Sequence, residues 1–397
     1  DMKVILSTFG PLHLIKSAEY LSKYVDVRVI QGWIPAWWNS WLLLLNKILG
    51  YKLSETIKKR TPICLKGKNI GIGLPEFYSV FSRKFLKNYK LGNVKSAVLY
   101  GRLSKKYING ADVFHVRSGS GLGGAIEQAK KLGMKVIVDH SIAHPAFMRM
   151  QLKDEYDKND IKFTNGDDDP FWMGVLDDCN KSDILLVNSD FVKQTFVQQG
   201  YDAQKIKVVY LGVRKDFHGL KTDYDISTRV RLLFTGSFSI RKGGEYLLKA
   251  MSILKKKNVC CELIIVGGCF DLNSQIDTFD NVRRIGMLPQ DLLKEYLSTS
   301  DIYVFPSLCE GCAQSGMEAL AAGLPVIATY ESGLPIEDGF NGLIISSKDE
   351  EAIANAIIRL IHDKMLRERI GCNAVECMKK YTWENYALNV VNIYSQM

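Results

Sequence analysis

Two carboxylates eight positions apart, Glu310 and Glu318, sit in the stretch Asp301–Thr329, DIYVFPSLCEGCAQSGMEALAAGLPVIAT. The apolar run Ile302–Phe305 suits a buried parallel strand, which Pro306 and Ser307 stop. Glu310 and Gly311 then fall in a tight loop. Gln314–Ala322, rich in Ala, Leu and Met, reads as a helix, and Pro325–Ala328 as a second short strand. Glu310 therefore stands at the carboxyl end of a strand, the edge where open α/β sheets bind ligands. Glu318 lies inside the helix, on a face that can look back at the same mouth. The helix start adds free N–H groups and a positive dipole end, which favour a phosphate. One carboxylate can accept hydrogen bonds from sugar hydroxyls while the other clamps a ribose. Upstream, Gly236–Gly244, GSFSIRKGG, follows a strand and opens a helix. Its glycines let backbone approach a phosphate, and Arg241 and Lys242 bring charge to the helix start. A nucleotide diphosphate sugar offers a partner to each of these groups.

The carboxylate pair, with PS-x-x-EG before it and AAGLPVIAT after it, resembles the glutamate–seven residues–glutamate signature of retaining GT-B glycosyltransferases of the family 4 type. The resemblance covers most of the chain and is looser before residue 180. It implies an α/β protein of two Rossmann-like domains facing across a cleft. Residues 1–213 would form the acceptor-binding domain and 214–381 the nucleotide-sugar domain, with a C-terminal helix, 382–397, crossing back. It further implies sugar transfer from a nucleotide diphosphate sugar with retention at the anomeric carbon, needing no metal and no cofactor beyond the donor. In that reading Glu310 orients the donor sugar hydroxyls and Glu318 binds the ribose. Lys242 neutralises charge on the leaving diphosphate. Gly311, Cys312 and Ala313 belong to the donor loop. Val282–Pro289, VRRIGMLP, resembles the segment that touches the nucleotide base, which brings in Met287 and Leu288. The family's G-R-x-x-x-x-K-G appears here with Ser237 in the arginine position. Either Arg241 takes over that charge, or lysine and backbone alone hold the diphosphate. His140 matches a family histidine close to donor sugar and acceptor, and joins Glu310 and Lys242 as a catalytic candidate. Its near rival His144 stands with Gly10, His13 and Arg117 on the acceptor side. The family's first loop carries a Gly-Gly pair where this chain has Gly10-Pro11.

These groups need strands to carry them. Lys3–Thr8, a helix over Leu14–Tyr24 and Val27–Ile30 make a Rossmann-like start. Asp112–Val116 ends at Arg117 and Lys135–Val138 ends at Asp139-His140, so both strand ends point at a cleft if the sheet is parallel. His115 is a further cleft candidate. Ser182–Asn188 and Lys207–Leu211 read as later strands, and Arg231–Thr235 starts a second sheet. Asp154–Asp169 reads as a polar loop, and its Asp167-Asp168-Asp169 run does not close a hydrophobic strand as a metal-binding acidic motif would.

The chain has 397 residues, 47% of them apolar, enough for two cores. Its net charge of +9 is uneven: Lys47–Lys106 holds fifteen Lys or Arg against Glu55 and Glu76. Anionic lipid, a phosphorylated acceptor or nucleic acid could answer that charge, and no recognition module accompanies it to favour nucleic acid. Within Trp33–Gly50, WIPAWWNSWLLLLNKILG, polar residues fall on one narrow stripe, which suits a deeply buried helix, an oligomer contact or a membrane interface. The basic neighbours over Lys58–Lys106 favour an anionic membrane surface. Phe81, Phe85 and Tyr89 are expected on one helical face. Nine irregularly spaced cysteines, including the Cys309-x-x-Cys312 pair, fit reduced thiols. Asp1-Met2-Lys3 runs straight into a strand, so no leader is expected, and no apolar run is long enough to span a bilayer. A cytoplasmic protein, peripheral on the inner membrane face and acting on a glycan or lipid-linked acceptor in cell-surface polysaccharide synthesis, is the resulting expectation. Three other readings stay open: a metal-dependent transferase using Asp167–Asp169, a GT-B nucleotide-sugar epimerase, and a non-catalytic binding subunit.

Overall fold

The computed structural model describes the backbone at residues 2–10, 13–34, 60, 62–85 and 89–397, with side chains at all of these except 83–85 and 89–91. Among the described residues the chain forms two sheets, each entirely parallel. The first holds β1 (Lys3–Thr8), β2 (Asp26–Gln31), β3 (Asn69–Gly71), β4 (Val113–Arg117), β5 (Lys135–His140), β6 (Ile184–Val187) and β7 (Ile206–Val208) in the order β3-β2-β1-β4-β5-β6-β7. The second holds β8 (Val230–Thr235), β9 (Cys261–Val266), β10 (Val282–Gly286), β11 (Ile302–Phe305), β12 (Val326–Thr329) and β13 (Leu343–Ile345) in the order β10-β9-β8-β11-β12-β13. Helices cover both faces, which is why runs such as Val4–Leu6, Val136–Val138 and Ile302–Phe305 are apolar throughout and buried.

Both sheets reverse their winding once, between β1 and β4 and between β8 and β11. At such a switch point the loops leaving neighbouring strands part, and a crevice opens at the carboxyl edge. The first crevice is bounded by residues 8–10 and 117–120, the second by 235–237 and 305–311.

The chain crosses between the sheets twice, and the crossings touch. Val213 N–H donates to Tyr381 O at 2.8 Å, and Gln314 Nε2 donates to Gly212 O at 3.2 Å. Helix Trp383–Ser395 then lies on helix His13–Leu21, where Tyr386, Ala387 and Val390 share a buried apolar cluster with Leu14, Ile15 and Ala18. Tyr394 Oη on that last helix meets His115 Nδ1 on β4 at 2.7 Å.

The polar segment 154–169 differs from its expectation as a loop. Helix Pro145–Asp157 occupies its first part, and helix Pro170–Lys181 follows directly. Each begins with proline at its first position behind a capping side chain, His144 and Asp169 respectively. Helix Pro145–Asp157 is polar in sequence because it faces the other domain. Glu155, 2% exposed, accepts from Tyr246 Oη at 2.9 Å and pairs with Lys348 at 3.3 Å and Lys158 at 3.1 Å. Gln151 donates to Ser347 at 3.2 Å, and Asn159 donates to Glu245 at 3.1 Å.

The aromatic face expected over 81–89 is also revised. Phe81 and Phe85 lie on helix Gly73–Phe85, whereas Tyr89 opens the separate helix Tyr89–Ser104. Of the tryptophan-rich stretch, 35–50 lies outside the described residues. Arg60 is held by Glu76 through contacts of 2.6 and 2.9 Å.

Glu155→Ala strips a buried acceptor from Tyr246 and a counter-charge from Lys348. The expected loss is about 1–3 kcal/mol of stability, visible as a lower thermal midpoint. Glu155→Gln, which keeps an acceptor for Tyr246, should lose less.

Candidate functional site

The loop after β8 turns where only glycine fits comfortably. Gly236 has φ +112°, and a Cβ there would come within 3.1 Å of Lys242 Nζ. Gly243, at φ +72°, ends the loop against Pro306, where a Cβ would approach the carbonyl oxygen to 1.9 Å. The two loops at the switch point are thus in direct contact, and their side chains converge. Arg241 Nη1 donates to Glu310 Oε1 at 2.8 Å and to Cys309 O at 2.7 Å. Lys242 Nζ stands 3.5 Å from the same carboxylate oxygen and lies over the Phe305 ring at 5.3 Å. Among the described residues, Glu310 Oε2 makes no hydrogen bond.

Helix Gln314–Ala322 begins beside them. Its cap residue, Ala313, offers no side-chain oxygen to the first N–H groups. Thr235 Oγ1, Tyr303 Oη and Ser315 Oγ form a chain of contacts of 2.9 and 3.2 Å, which fixes Ser315 at the helix start. Ser315 Oγ lies 3.8 Å from where a Gly236 Cβ would stand. Gly236, Lys242, Ser315 and the uncapped helix start therefore surround one spot, suited to an anion.

Glu318 sits one turn further along and has no hydrogen-bond partner among the described residues. Burial pushes its carboxyl up to about 7, with Arg214 opposing the rise and Asp216 adding to it. Arg214 pairs with Asp216, which also binds Lys294. Beyond β10, Met287 is 77% exposed and Leu288 half-buried. Ser237 is half-buried and forms no hydrogen bond among the described residues.

The first domain closes the other side. A Cβ on Gly311 would lie 2.0 Å from Ser141 O, so the Glu310 loop abuts the residues just after β5. Ser189 Oγ, capping helix Asp190–Val197, also donates to Gly311 O. At the end of β5, Asp139 collects three bases: His13 Nε2 at 3.0 Å, Arg117 Nη1 at 3.0 Å and His115 Nε2 at 3.5 Å. Burial alone would raise Asp139, but His13, His115 and Arg117 outweigh it and hold the carboxyl well below the usual range. Gly10 accepts from Thr8 Oγ1 at 2.6 Å.

His140 ends β5 and His144 caps the helix that follows. His140 is 1% exposed, its Nδ1 bonds Ser118 Oγ at 2.9 Å, and its ring packs edge-on against Phe196. Burial, helped by Arg117, lowers it to about 3, so the ring is neutral. His144 caps helix Pro145–Asp157 through Nδ1, packs against Phe196 and Tyr201, and is lowered by burial to about 4. Both rings pack on Phe196 and use Nδ1 for a local hydrogen bond, while His140 Nε2 is buried without a hydrogen-bond partner among the described residues. The acidic run is likewise engaged: Asp167 and Asp168 pair with Arg149 Nη2 at 2.7 and 2.6 Å, and Asp169 accepts from Phe171 N–H. Among the described residues no cluster of three or more His, Cys, Asp or Glu is arranged to hold a metal. Cys309 and Cys312 are free thiols, both pushed up by burial.

Asp139, Ser189 and Arg214 were not legible as site residues. Asp139 does stand in the Asp-His pair that ends β5, and that position was its one available signal.

Glu318 gives a pH-dependent expectation. Its folded value lies above the ordinary carboxylate value, so the folded state holds the proton more tightly. Its contribution to stability therefore falls as pH rises from about 4.5 to about 7 and stays low above that. Glu318→Gln should raise the thermal midpoint at pH 8 by a few degrees, with the gain vanishing near pH 5. An equal gain at both pH values would contradict the buried, uncompensated carboxyl.

Residues 229–363 match the family model described as Glycosyl transferases group 1. An amylovoran biosynthesis glycosyltransferase, AmsK of Erwinia amylovora, is 31% identical over 195 residues, 45% of this chain and 48% of that one. The chain spans about half the length of the first curated relatives it matches. Sucrose-phosphate synthase of Thermosynechococcus elongatus superposes with a TM-score of 0.67 at 18% identity, covering 100% of this chain and 99% of that one. HepE of Anabaena, solved with UDP and glucose, gives a TM-score of 0.63 at 16% identity and covers 100% of both chains. The fold is GT-B, and the match to the group 1 glycosyltransferase model lies within its second sheet and the helices around it.

Proposed function

We propose that this protein transfers a sugar from a nucleotide diphosphate sugar to a glycan or lipid-linked acceptor, with retention at the anomeric carbon. The observation that carries the proposal is the convergence of Lys242, Glu310, Ser315 and an uncapped helix start on one crevice, closed on its far side by the first domain. The diphosphate sits at Gly236, Lys242 and the helix start. Lys242 stabilises charge that develops on the leaving phosphate as the glycosidic bond breaks. Glu310 Oε2 accepts from hydroxyls of the donor sugar, and Glu318 from the ribose. The acceptor enters along the first domain, past His13, Arg117 and Gly10, and its proton passes to the leaving phosphate on the same face. The base lies near Met287 and Leu288. A relative that builds amylovoran and a fold neighbour solved with UDP and glucose support a role in polysaccharide synthesis from a nucleotide sugar. The engaged state of Asp167–Asp169 speaks for this reading over a metal site at that run.

We also propose that the first domain works against an anionic membrane at its cytoplasmic face. On helix Gly73–Phe85, Leu74 is 61% and Phe77 70% exposed, in a region rich in lysine and arginine. No helix among the described residues is long and apolar enough to cross a membrane. Surface contact therefore suits this face better than a span.

Glu310→Ala should lower transfer at least about 100-fold while the thermal midpoint holds, measured by release of nucleoside diphosphate with acceptor present. Transfer near the unaltered rate would remove Glu310 from the mechanism. Leu74→Ser with Phe77→Ser should weaken sedimentation with phosphatidylserine-containing vesicles without changing the melting profile. Unchanged vesicle binding would remove this helix from the membrane contact.

A further inference from the structure

Arg241 and Lys242 are neighbours in sequence but hold different ground. Arg241 is tied down along its whole length. Its carbonyl accepts from Leu308 N–H at 2.9 Å and Ser307 Oγ at 3.3 Å, and its guanidinium bridges Cys309 O and Glu310 Oε1. Each of those partners lies in the loop after β11. Lys242 is tied far more loosely. It makes one ion pair, at 3.5 Å to Glu310, and its Nζ faces the glycine at the mouth of β8. Ser237, which stands where the resembled motif carries arginine, forms no hydrogen bond among the described residues.

Two cations on one carboxylate oxygen are more than its charge requires. A diphosphate entering beside Gly236 would draw Lys242 toward it, since that contact is the longer and weaker one. If Arg241 left as well, Glu310 would be a bare carboxylate beside a polyanion, with the two negative charges opposed and nothing to hold its side chain. Arg241 avoids this by staying where it is. It holds Oε1 and leaves Oε2 without a hydrogen bond among the described residues. Resting on the donor reading above, we infer that Arg241 is a positioning residue for Glu310 and not a phosphate ligand. The donor diphosphate is then gripped by a single side-chain cation, Lys242, with backbone N–H groups supplying the rest.

The test separates binding from turnover in the full chain. UDP, GDP, ADP and CDP are titrated calorimetrically into the unaltered protein, and the one that binds is used as the probe. Lys242→Ala should weaken that nucleoside diphosphate at least about 30-fold, as expected for loss of a charged phosphate contact. Arg241→Ala should change its affinity less than about 3-fold while lowering kcat at least about 50-fold. Arg241→Lys should recover part of kcat. The loss in kcat with nucleoside diphosphate affinity kept, and its partial rescue by lysine, are changes that simple loosening of the loop would not produce. If Arg241→Ala weakens the nucleoside diphosphate as much as Lys242→Ala does, Arg241 is a phosphate ligand and the inference is overturned. The same follows if kcat stays unchanged in a folded Arg241→Ala. If none of the four diphosphates binds the unaltered protein, the donor reading falls, and the inference with it.

Discussion

Glu310 Oε1 is shared by two cations at the point where the loops after β8 and β11 meet. A carboxylate partly removed from water needs a counter-charge, and Arg241 and Lys242 supply it and fix its position. They come from the loop after β8, on the other side of the switch point, so the ion pair also staples the two loops together. Gly243 allows the close approach that this needs, since its neighbour Pro306 leaves no room for a side chain. The helix start, Ser315 and Glu318 follow the Glu310 loop in sequence, and the Thr235–Tyr303–Ser315 contacts tie that helix start to β8 and β11.

The first domain contributes by closing over that loop rather than by adding cations to it. Ser141 and Ser189 contact Gly311 from the ends of β5 and β6. Glu155 reaches the second domain from a helix of the first and is satisfied there by Tyr246 and Lys348. A buried carboxylate without those partners would be costly, so the pairing favours the closed arrangement over an open one. The Asp139 cluster holds His13 and Arg117 in place on the facing edge. One buried carboxylate there orients two basic side chains toward the same cleft.

Local pattern carried the strands and the second domain. Ile302–Phe305 and Gln314–Ala322 come out at the bounds their sequence suggested, because a two-sided apolar strand and an alanine-rich helix both declare themselves within a few residues. Helix Pro145–Asp157 did not. Its buried face is Pro145, Met148, Leu152 and Glu155, and the partners that make Glu155 a buried residue lie 91 and 193 positions away, so its last turn reads as polar. His140 and His144 illustrate a related limit. Their place beside a strand end was visible in sequence, but the ring of Phe196 that buries both of them was not. The tie between His115 and Tyr394 spans 279 positions and depends on the last helix returning to the first domain. What the pattern could not supply was which of two adjacent cations holds the carboxylate more closely, a matter of less than an ångström in loop geometry.

The electrostatics of the second domain follow from these contacts. Three cationic side chains, Arg214, Arg241 and Lys242, stand near two carboxylates that face the crevice, Glu310 and Glu318. One of those acids is paired and one is buried without a hydrogen-bond partner among the described residues. Such a site is asymmetric before any ligand arrives: anion-seeking at the helix start, hydroxyl-seeking at the two acids. A crystal structure of the protein grown with a nucleoside diphosphate tests this most directly. The account predicts the terminal phosphate within hydrogen-bonding reach of Lys242 Nζ and the N–H groups at the start of helix Gln314–Ala322, with the ribose against Glu318. Phosphates seated instead among His13, Arg117 and Asp139, or away from Lys242 altogether, would contradict it.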